Sequence, residues 1–476
     1  MNIEEKMRED NKSFTWRVVL LTGFIILMLA GFVLGCFLPA LRPTVSDLEK
    51  RDLEKFPEFS WDSFWDGSYT SDIETWFADT FPFREELLTA QMRVENYYGI
   101  RKDSISAVSQ GDDTSDIDDL INSLTSEAPS GDTSETTVDP SETASTEGTT
   151  AVVETAETTT EKVYEDVDGK EIQNNNPFEA GNVNVVDLKG YCVYGFNLKA
   201  ADIFAEDVAA VADALPDVNV YDIMVPDNSA VMLDDETKAS WNLPDEEKVI
   251  HYYQAKIHSL NSTVTDVDIY ETLRAHNDEY LYFYTDHHWT QLGAYYAYTE
   301  FCKVKGIDAH SLDEYEQVIT TDFLGSYYST NGYTQLEENP DTIYAYVPLT
   351  TNTMHFMDDT LQAMRQGKII RDMNEFKPTQ KYMGFIYGDN SLSYIESETV
   401  KNGEVCMVIK ESFGNTFVPF LADHYEKVIV IDYRAYKDKV ADLAKEENVT
   451  DIIFINNLEA ISDVYTMETL LGGVCK

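Results

Sequence analysis

Glu404-Val405-Cys406-Met407-Val408-Ile409-Lys410-Glu411-Ser412-Phe413-Gly414-Asn415 passes from a short apolar run into a serine, a glycine and a helical pattern. A run of this length, bounded by such breaks, marks a strand buried on both faces. Two more apolar runs follow at 427–431 and 451–455, separated by helical patterns at 416–425 and 436–447. Upstream, 218–225 reads as a strand and 244–260 as a helix with acids in its first turn. This alternation predicts an α/β fold with a parallel sheet and flanking helices. Ligands bind such sheets outside the carboxyl ends of the strands. Ser412 stands at one of these ends, with helix N-terminal amides close by to stabilise an oxyanion. That is a place for a nucleophile, although the plainer reading of the serine alone is a helix cap.

The stretch that would serve such a serine is Tyr284-Thr285-Asp286-His287-His288-Trp289-Thr290. The aromatic run 280–284 before it reads as a strand. Thr290 reads as the N-cap of a helix that stops at Gly306, with Leu292, Tyr295, Tyr296, Thr299 and Cys302 at helical spacing. In an extended loop, residues two apart face the same way. Asp286 and His288 therefore converge while His287 points elsewhere, the geometry of a carboxylate steering a general base. If 280–284 and 404–409 are parallel strands, both deliver their loops to one edge, and Trp289 with the following helix holds the loop still.

The chain has 476 residues and a formal net charge of −51, which argues against nucleic acid as a partner, because phosphate binding needs clustered Lys and Arg. The uncharged apolar run 18–38 is long enough, at about 1.5 Å per residue, to cross a hydrocarbon core of about 30 Å. Lys6, Arg8, Lys12 and Arg17 precede it and favour a cytoplasmic N-terminus at 1–17, against Arg42, Lys50 and Arg51 beyond it. A single transmembrane anchor is expected. The rivals are a cleaved signal peptide, for which no small-residue cleavage site follows, and a lipidated Cys36. Residues 39–108 form an extracytoplasmic segment expected to pack on the main domain, with a helical pattern through Phe83, Leu87, Ala90, Val94 and Tyr97. Residues 109–176 are rich in Asp, Glu, Ser and Thr and read as a disordered insertion. The main domain is 177–476. The five cysteines have no ligand-like spacing, so neither a disulfide scaffold nor a zinc module is expected.

The motif Asp286-His287-His288-Trp289, together with Ser412-Phe413-Gly414-Asn415, Asp432-Tyr433-Arg434 and Trp76 with Phe81-Pro82-Phe83-Arg84, resembles the bacterial DHHW family and the alginate O-acetyltransferases related to it. The resemblance implies a circularly permuted SGNH-hydrolase fold. It implies Ser412 as nucleophile, His288 as general base and Asp286 as its orienting carboxylate, with no metal and no cofactor. Two departures stand out: Lys410 and Glu411 precede the serine where Gly-Asp is usual, and the usual D-x-x-H is shortened to D-x-H. The amides of Ser412 and Gly414, the Asn415 side chain and, as a substrate contact, Arg434 are the candidates for the rest of the site, with Asn228 and Asn456 also following strands. Trp289 and His287 are expected to support the loop.

By this resemblance the chain is expected to be a membrane-anchored, extracytoplasmic serine acyltransferase that acetylates a cell-surface polysaccharide, supplied by a membrane-bound O-acyltransferase. With water as acceptor it would be an esterase. Two other classes stay in view. Asp286-His287-His288 could belong to a DHH phosphoesterase metal centre, although His251, His258 and His276 do not complete such a set and Trp289 does not suit it. The same cleft could also bind polysaccharide without catalysis. Asp423-His424, on the helix after Ser412, reads as structural.

Overall fold

The computed structural model describes residues 182–358 and 362–476, the helix α1 (Ile117–Ser126) and scattered positions before it. The apolar run 18–38, the helical pattern at 83–97 and most of the acidic stretch lie outside the described residues. Among the described residues, no helix is long and apolar enough to cross a membrane.

The strands in chain order among the described residues are β1 (Val45–Ser46) and β2 (Arg51–Asp52), which pair with each other, and the hairpin β3 (Asn182–Val186) and β4 (Lys189–Val193). Then come β5 (Asn219–Val225), β6 (Thr265–Asp266), and the antiparallel pair β7 (Glu316–Phe323) and β8 (Asp341–Val347). The last six are β9 (Thr353–Asp358), β10 (Ala363–Lys368), β11 (Leu392–Glu396), β12 (Val405–Lys410), β13 (Lys427–Asp432) and β14 (Asp451–Asn457). An eight-stranded sheet runs in the order β10-β9-β11-β13-β12-β14-β5-β6. From β13 to β6 every pair is parallel, as expected. The β10-β9-β11 side is antiparallel and corrects the expectation of a wholly parallel sheet. Ala-Met-Arg-Gln-Gly-Lys is a half-buried edge strand and Thr-Met-His-Phe-Met-Asp lies just inside it, and their polar residues hide both from a search for apolar runs.

Alternation along β12 divides the core. Cys406 and Val408 join one buried apolar cluster, Met407 and Ile409 the other. The second face is covered by α2 (Leu198–Ala214) and α3 (Glu246–Leu260), capped by Asn197 and Asp245. The first is covered by α4 (Gln291–Lys305) and α5 (Gly414–Leu421). Thr290 caps α4 through its hydroxyl, and Gly306 ends it at φ 79°, a left-handed conformation suited to glycine. The fully covered face of α4 carries Ala294, Ala297, Tyr298 and Phe301; of the expected stripe Cys302 is buried as expected, whereas Leu292, Tyr295, Tyr296 and Thr299 lie on the half-buried flank. Small residues let the helix approach the sheet, and alanines are invisible to a count of large apolar side chains.

Two further expectations are corrected. Residues 280–284 are not a strand of the sheet: one isolated bridge, Tyr282 with Trp289, closes the DHHW stretch into a tight excursion. Within the acidic stretch expected to be disordered, α1 is a regular helix. Ile117 is buried, and Ile121 and Leu124 pack with it against the second-face cluster. These three residues at helical spacing were submerged in the acidic composition.

Candidate active site

Parallel register brings the strand ends into line. Ile409 pairs with Ile431, Lys410 with Asp432 and with Ile455, and Asn457 with Val225. Glu411-Ser412, Asp432-Tyr433-Arg434, Asn457 and Asp227 therefore leave the sheet at one edge. The DHHW excursion meets that edge without belonging to the sheet. Trp289 Nε1–H donates to the Phe413 carbonyl at 2.9 Å, and the Tyr382 hydroxyl donates to the Ser412 carbonyl at 2.9 Å.

The three residues assigned from sequence come together. His288 Nε2 lies 2.8 Å from Ser412 Oγ, and His288 Nδ1 lies 2.5 Å from Asp286 Oδ1. All three side chains are buried. Asp286 Oδ1 also accepts the His288 backbone N–H at 3.0 Å, and Oδ2 accepts the Ser326 N–H at 2.7 Å. A carboxylate so held keeps the imidazole in the tautomer with hydrogen on Nδ1 and the lone pair of Nε2 facing the serine. The Tyr382 ring stacks on the imidazole with centroids 3.9 Å apart and planes 10° from parallel. His287 packs against the other side of His288 at 3.8 Å and pairs through Nδ1 with Ser326 Oγ at 2.6 Å.

Asp286, His287 and His288 also offer ligand atoms within 4.8 Å of one another. Both ring nitrogens of His288 are already engaged, however, one with Asp286 and one with Ser412. A metal here would have to break the hydrogen-bond chain, so the geometry favours proton transfer over ligation.

The other sequence candidates fare differently. The Gly414 N–H donates to the Glu411 carbonyl at 3.0 Å, so this amide closes a turn and does not face the serine as an oxyanion donor. Its glycine serves packing instead: a Cβ there would stand 2.7 Å from Lys410 Cβ. The Asn415 amide nitrogen donates to Asp389 Oδ1 at 3.0 Å. Arg434 donates to Asp432 at 2.9 and 2.6 Å and pairs with Asp389 at 3.0 Å. Fully buried Lys410 bonds the same two aspartates at 3.0 and 3.3 Å. Burial pushes the Asp389 carboxyl up, but Arg434, Lys410, the Asn415 amide and His288 together hold it well below the usual carboxylate range. Asn415 and Arg434 thus belong to a charged network behind the serine. Asn228 ties β4 to the site, accepting the Cys192 N–H at 2.8 Å and donating to the Gly190 carbonyl at 2.9 Å. Asn456 is buried in β14. Asp423 accepts the Leu349 and Thr350 amides, and His424 pairs with the Tyr298 hydroxyl at 2.6 Å, both structural roles.

A family model described as DHHW protein matches residues 49–431. The chain belongs to the DHHW family. Among solved structures, a DHHW family protein from Eubacterium siraeum is 26% identical, with a TM-score of 0.55, over 65% of this chain and 99% of that one. Bacillus cereus PatB1 is similar in fold at 19% identity and a TM-score of 0.50, over 61% of this chain and 99% of that one. No curated protein matches.

Four site residues of this DHHW protein carry no signal in the motif itself. Asp341 accepts the Tyr284 and Thr285 amides at 2.8 and 2.7 Å, the Thr285 hydroxyl at 2.5 Å and the Tyr280 hydroxyl. Gly325 lies so close to Asp286 that a Cβ would stand 2.1 Å from the Asp286 Cβ. Tyr382 supports the imidazole, as described. Glu411 was visible only as a departure from Gly-Asp. Its Oε2 accepts the Phe413 N–H at 3.0 Å and lies 3.3 Å from Ser412 Oγ, and its Oε1 accepts the Asn457 N–H at 3.0 Å. Burial pushes the Glu411 carboxyl up against the opposing pull of Arg434 and those amides.

Proposed function

We propose that the chain is a serine acyltransferase that moves an acetyl group to a hydroxyl of a cell-surface or exported polysaccharide through an acetyl-serine intermediate. The observation that carries this reading is the continuous hydrogen-bond chain from Ser412 Oγ through His288 to Asp286. A serine hydroxyl is a weak nucleophile until an imidazole takes its proton, and the imidazole needs a fixed tautomer to do so.

In the first half-reaction Ser412 Oγ attacks the acetyl carbonyl of the donor while its proton passes to His288 Nε2. Asp286 stabilises the imidazolium, and collapse of the tetrahedral intermediate expels the donor oxygen, which takes the proton from His288. In the second half-reaction His288 deprotonates the acceptor hydroxyl, which attacks the acetyl-serine carbonyl, and Ser412 recovers its proton as it leaves. With Gly414 engaged elsewhere, the Ser412 amide is the backbone donor we assign to the oxyanion. Water in the acceptor position turns the same cycle into ester hydrolysis.

The acetyl-transfer reading and the permuted SGNH topology rest on the motif resemblance set beside this geometry. We further propose that the run 18–38 anchors the chain with residues 177–476 outside the cytoplasm, and that a membrane-bound O-acyltransferase supplies the acetyl group.

The test is intact mass spectrometry of the purified chain after exposure to an activated acetyl ester, alongside Ser412→Ala and His288→Ala. A single acetyl adduct, absent from both variants, is the expected result. An adduct that persists in Ser412→Ala, or no labelling of the native chain by either the ester or a fluorophosphonate, would sink the reading.

A further inference from the structure

The same sheet edge carries a second convergence of reactive side chains that the acyl-transfer chemistry does not use. Asp227 follows β5, Glu459 follows β14, and Cys192 lies in β4. Cys192 Sγ, a carboxylate oxygen of Asp227 and one of Glu459 all lie within 4.8 Å of one another. The thiol points at Glu459 Oε2, 3.1 Å away. Cys192 and Asp227 are each 2% exposed, so this is not a solvated acidic surface.

A second observation points to a ligand. Asp227 Oδ1 accepts from the Asn457 side-chain amide at 2.9 Å, but its Oδ2 is buried and has no hydrogen-bond partner. Glu246, also buried, adds a further carboxylate by accepting the Asp227 N–H at 2.8 Å. Lys238 and Arg274 make their ion pairs with Asp235; Lys238 also acts on Glu246 through space, while among the described residues no cation bears on Asp227 in the same way. Buried carboxylates without a counter-charge are strongly unfavourable, and an orphaned carboxylate oxygen inside such a cluster is where a cation gains most.

The donor set selects the cation. Calcium and magnesium take shells of oxygen ligands in which a thiol has no place. Zinc accepts thiolate at about 2.3 Å and carboxylate at about 2.0–2.2 Å, which sets tetrahedral ligand atoms about 3.5 Å apart. Cys192 Sγ and Glu459 Oε2, at 3.1 Å, already stand near that spacing, and Asp227 lies within 4.8 Å of both. We propose that Cys192, Asp227 and Glu459 form a binding site for a thiophilic divalent cation, zinc above others, with the fourth position taken by water. On binding, the Cys192 S–H bond breaks, its proton leaves to solvent, and a metal–sulfur bond replaces the thiol contact with Glu459. Asp227 holds the Asn457 side chain, and the Asn457 N–H holds Glu411, which in turn holds the Phe413 amide beside the serine. A bound cation therefore stiffens the nucleophile loop without touching the acyl group.

The test is titration of the purified, metal-stripped full-length chain with cobalt(II), followed by displacement with zinc. The expected result is one cobalt per chain with a near-ultraviolet thiolate-to-cobalt band, erased by zinc and absent in Cys192→Ser. Zinc should raise the melting temperature of the native chain and not that of Cys192→Ser. Should that variant fold poorly, half-buried Glu459→Gln carries the test, with zinc affinity expected to fall about tenfold or more. Cobalt binding without a thiolate band, a band that survives Cys192→Ser, unchanged affinity in Glu459→Gln, or no binding at all would each overturn the proposal. Cobalt at the DHHW motif would show itself by binding without the thiolate band and by its loss in His287→Ala.

Discussion

The position of Asp286 depends on a residue with no side chain. Gly325 lets its backbone lie against Asp286 and deliver the Ser326 N–H to Oδ2 at 2.7 Å. Gly325→Ala would place a methyl 2.1 Å from the Asp286 Cβ, and one of the two must move. Displacements near 1 Å in a reacting constellation cost about a hundredfold in rate. Fluorophosphonate labelling of Ser412 should slow by about that factor in Gly325→Ala while circular dichroism shows an intact fold. Unchanged labelling would mean that Asp286 is not needed to hold the imidazole. Asp286, His288 and Ser412 were legible in sequence because each sits in a short pattern with its own chemical logic. Gly325, Tyr382 and Asp341 were not, because their link to the motif exists only in three dimensions.

At the scale of elements, the DHHW excursion is held by a clamp where a strand was expected. Aromatic residues in the 280–284 run looked like the face of a strand, but Tyr280 and the Tyr284 and Thr285 amides turn to Asp341 at the start of β8. Asp341→Ala leaves two amides and two hydroxyls without their acceptor, a loss of roughly 3 kcal/mol on the usual scale for orphaned polar groups. Tyr280→Phe removes one of the four donors and should cost about 1 kcal/mol. Denaturant unfolding of both variants checks the ordering, and equal losses would show that the clamp is not shared among its donors. The central strands and the caps Thr290 and Gly306 were readable from composition and turn chemistry alone. The antiparallel strands β9 and β10 were not: the alternation in β9 covers only Met354 and Phe356, too short to stand out, and β10 mixes polar and apolar residues without a clean period.

At the scale of the whole molecule, buried carboxylates make stability depend on pH with an unusual sign. Burial pushes Asp341 up to about 6, partly offset by its hydrogen bonds to Thr285 and Tyr280. Burial likewise pushes Asp207 up to about 6 against the pull of Lys476. A carboxyl whose folded value is raised above 3.8 contributes stability that is complete below about pH 4 and is lost as pH rises through about 6. For Asp341 the shift corresponds to roughly 3 kcal/mol. Asp389 and Asp432, both held low by Arg434 and Lys410 against burial, act in the opposite sense, and their stability is lost only in stronger acid. Partial neutralisation of a chain carrying −51 works in the same direction as Asp341 and Asp207. The melting temperature should therefore be higher at pH 5 than at pH 7.5, and Asp341→Asn should flatten the slope. A melting temperature that falls steadily from pH 7.5 to 5 would contradict this account. The hydrogen bond between His288 and Ser412 joins residues 124 positions apart, one on a loop outside the sheet and one at the end of its central strand. Closing so distant a contact is a late and entropically demanding event in folding. A chain in which β12 is not yet paired holds His288 without Ser412 beside it, so labelling of that serine by a probe that needs both reports that the sheet edge has been assembled.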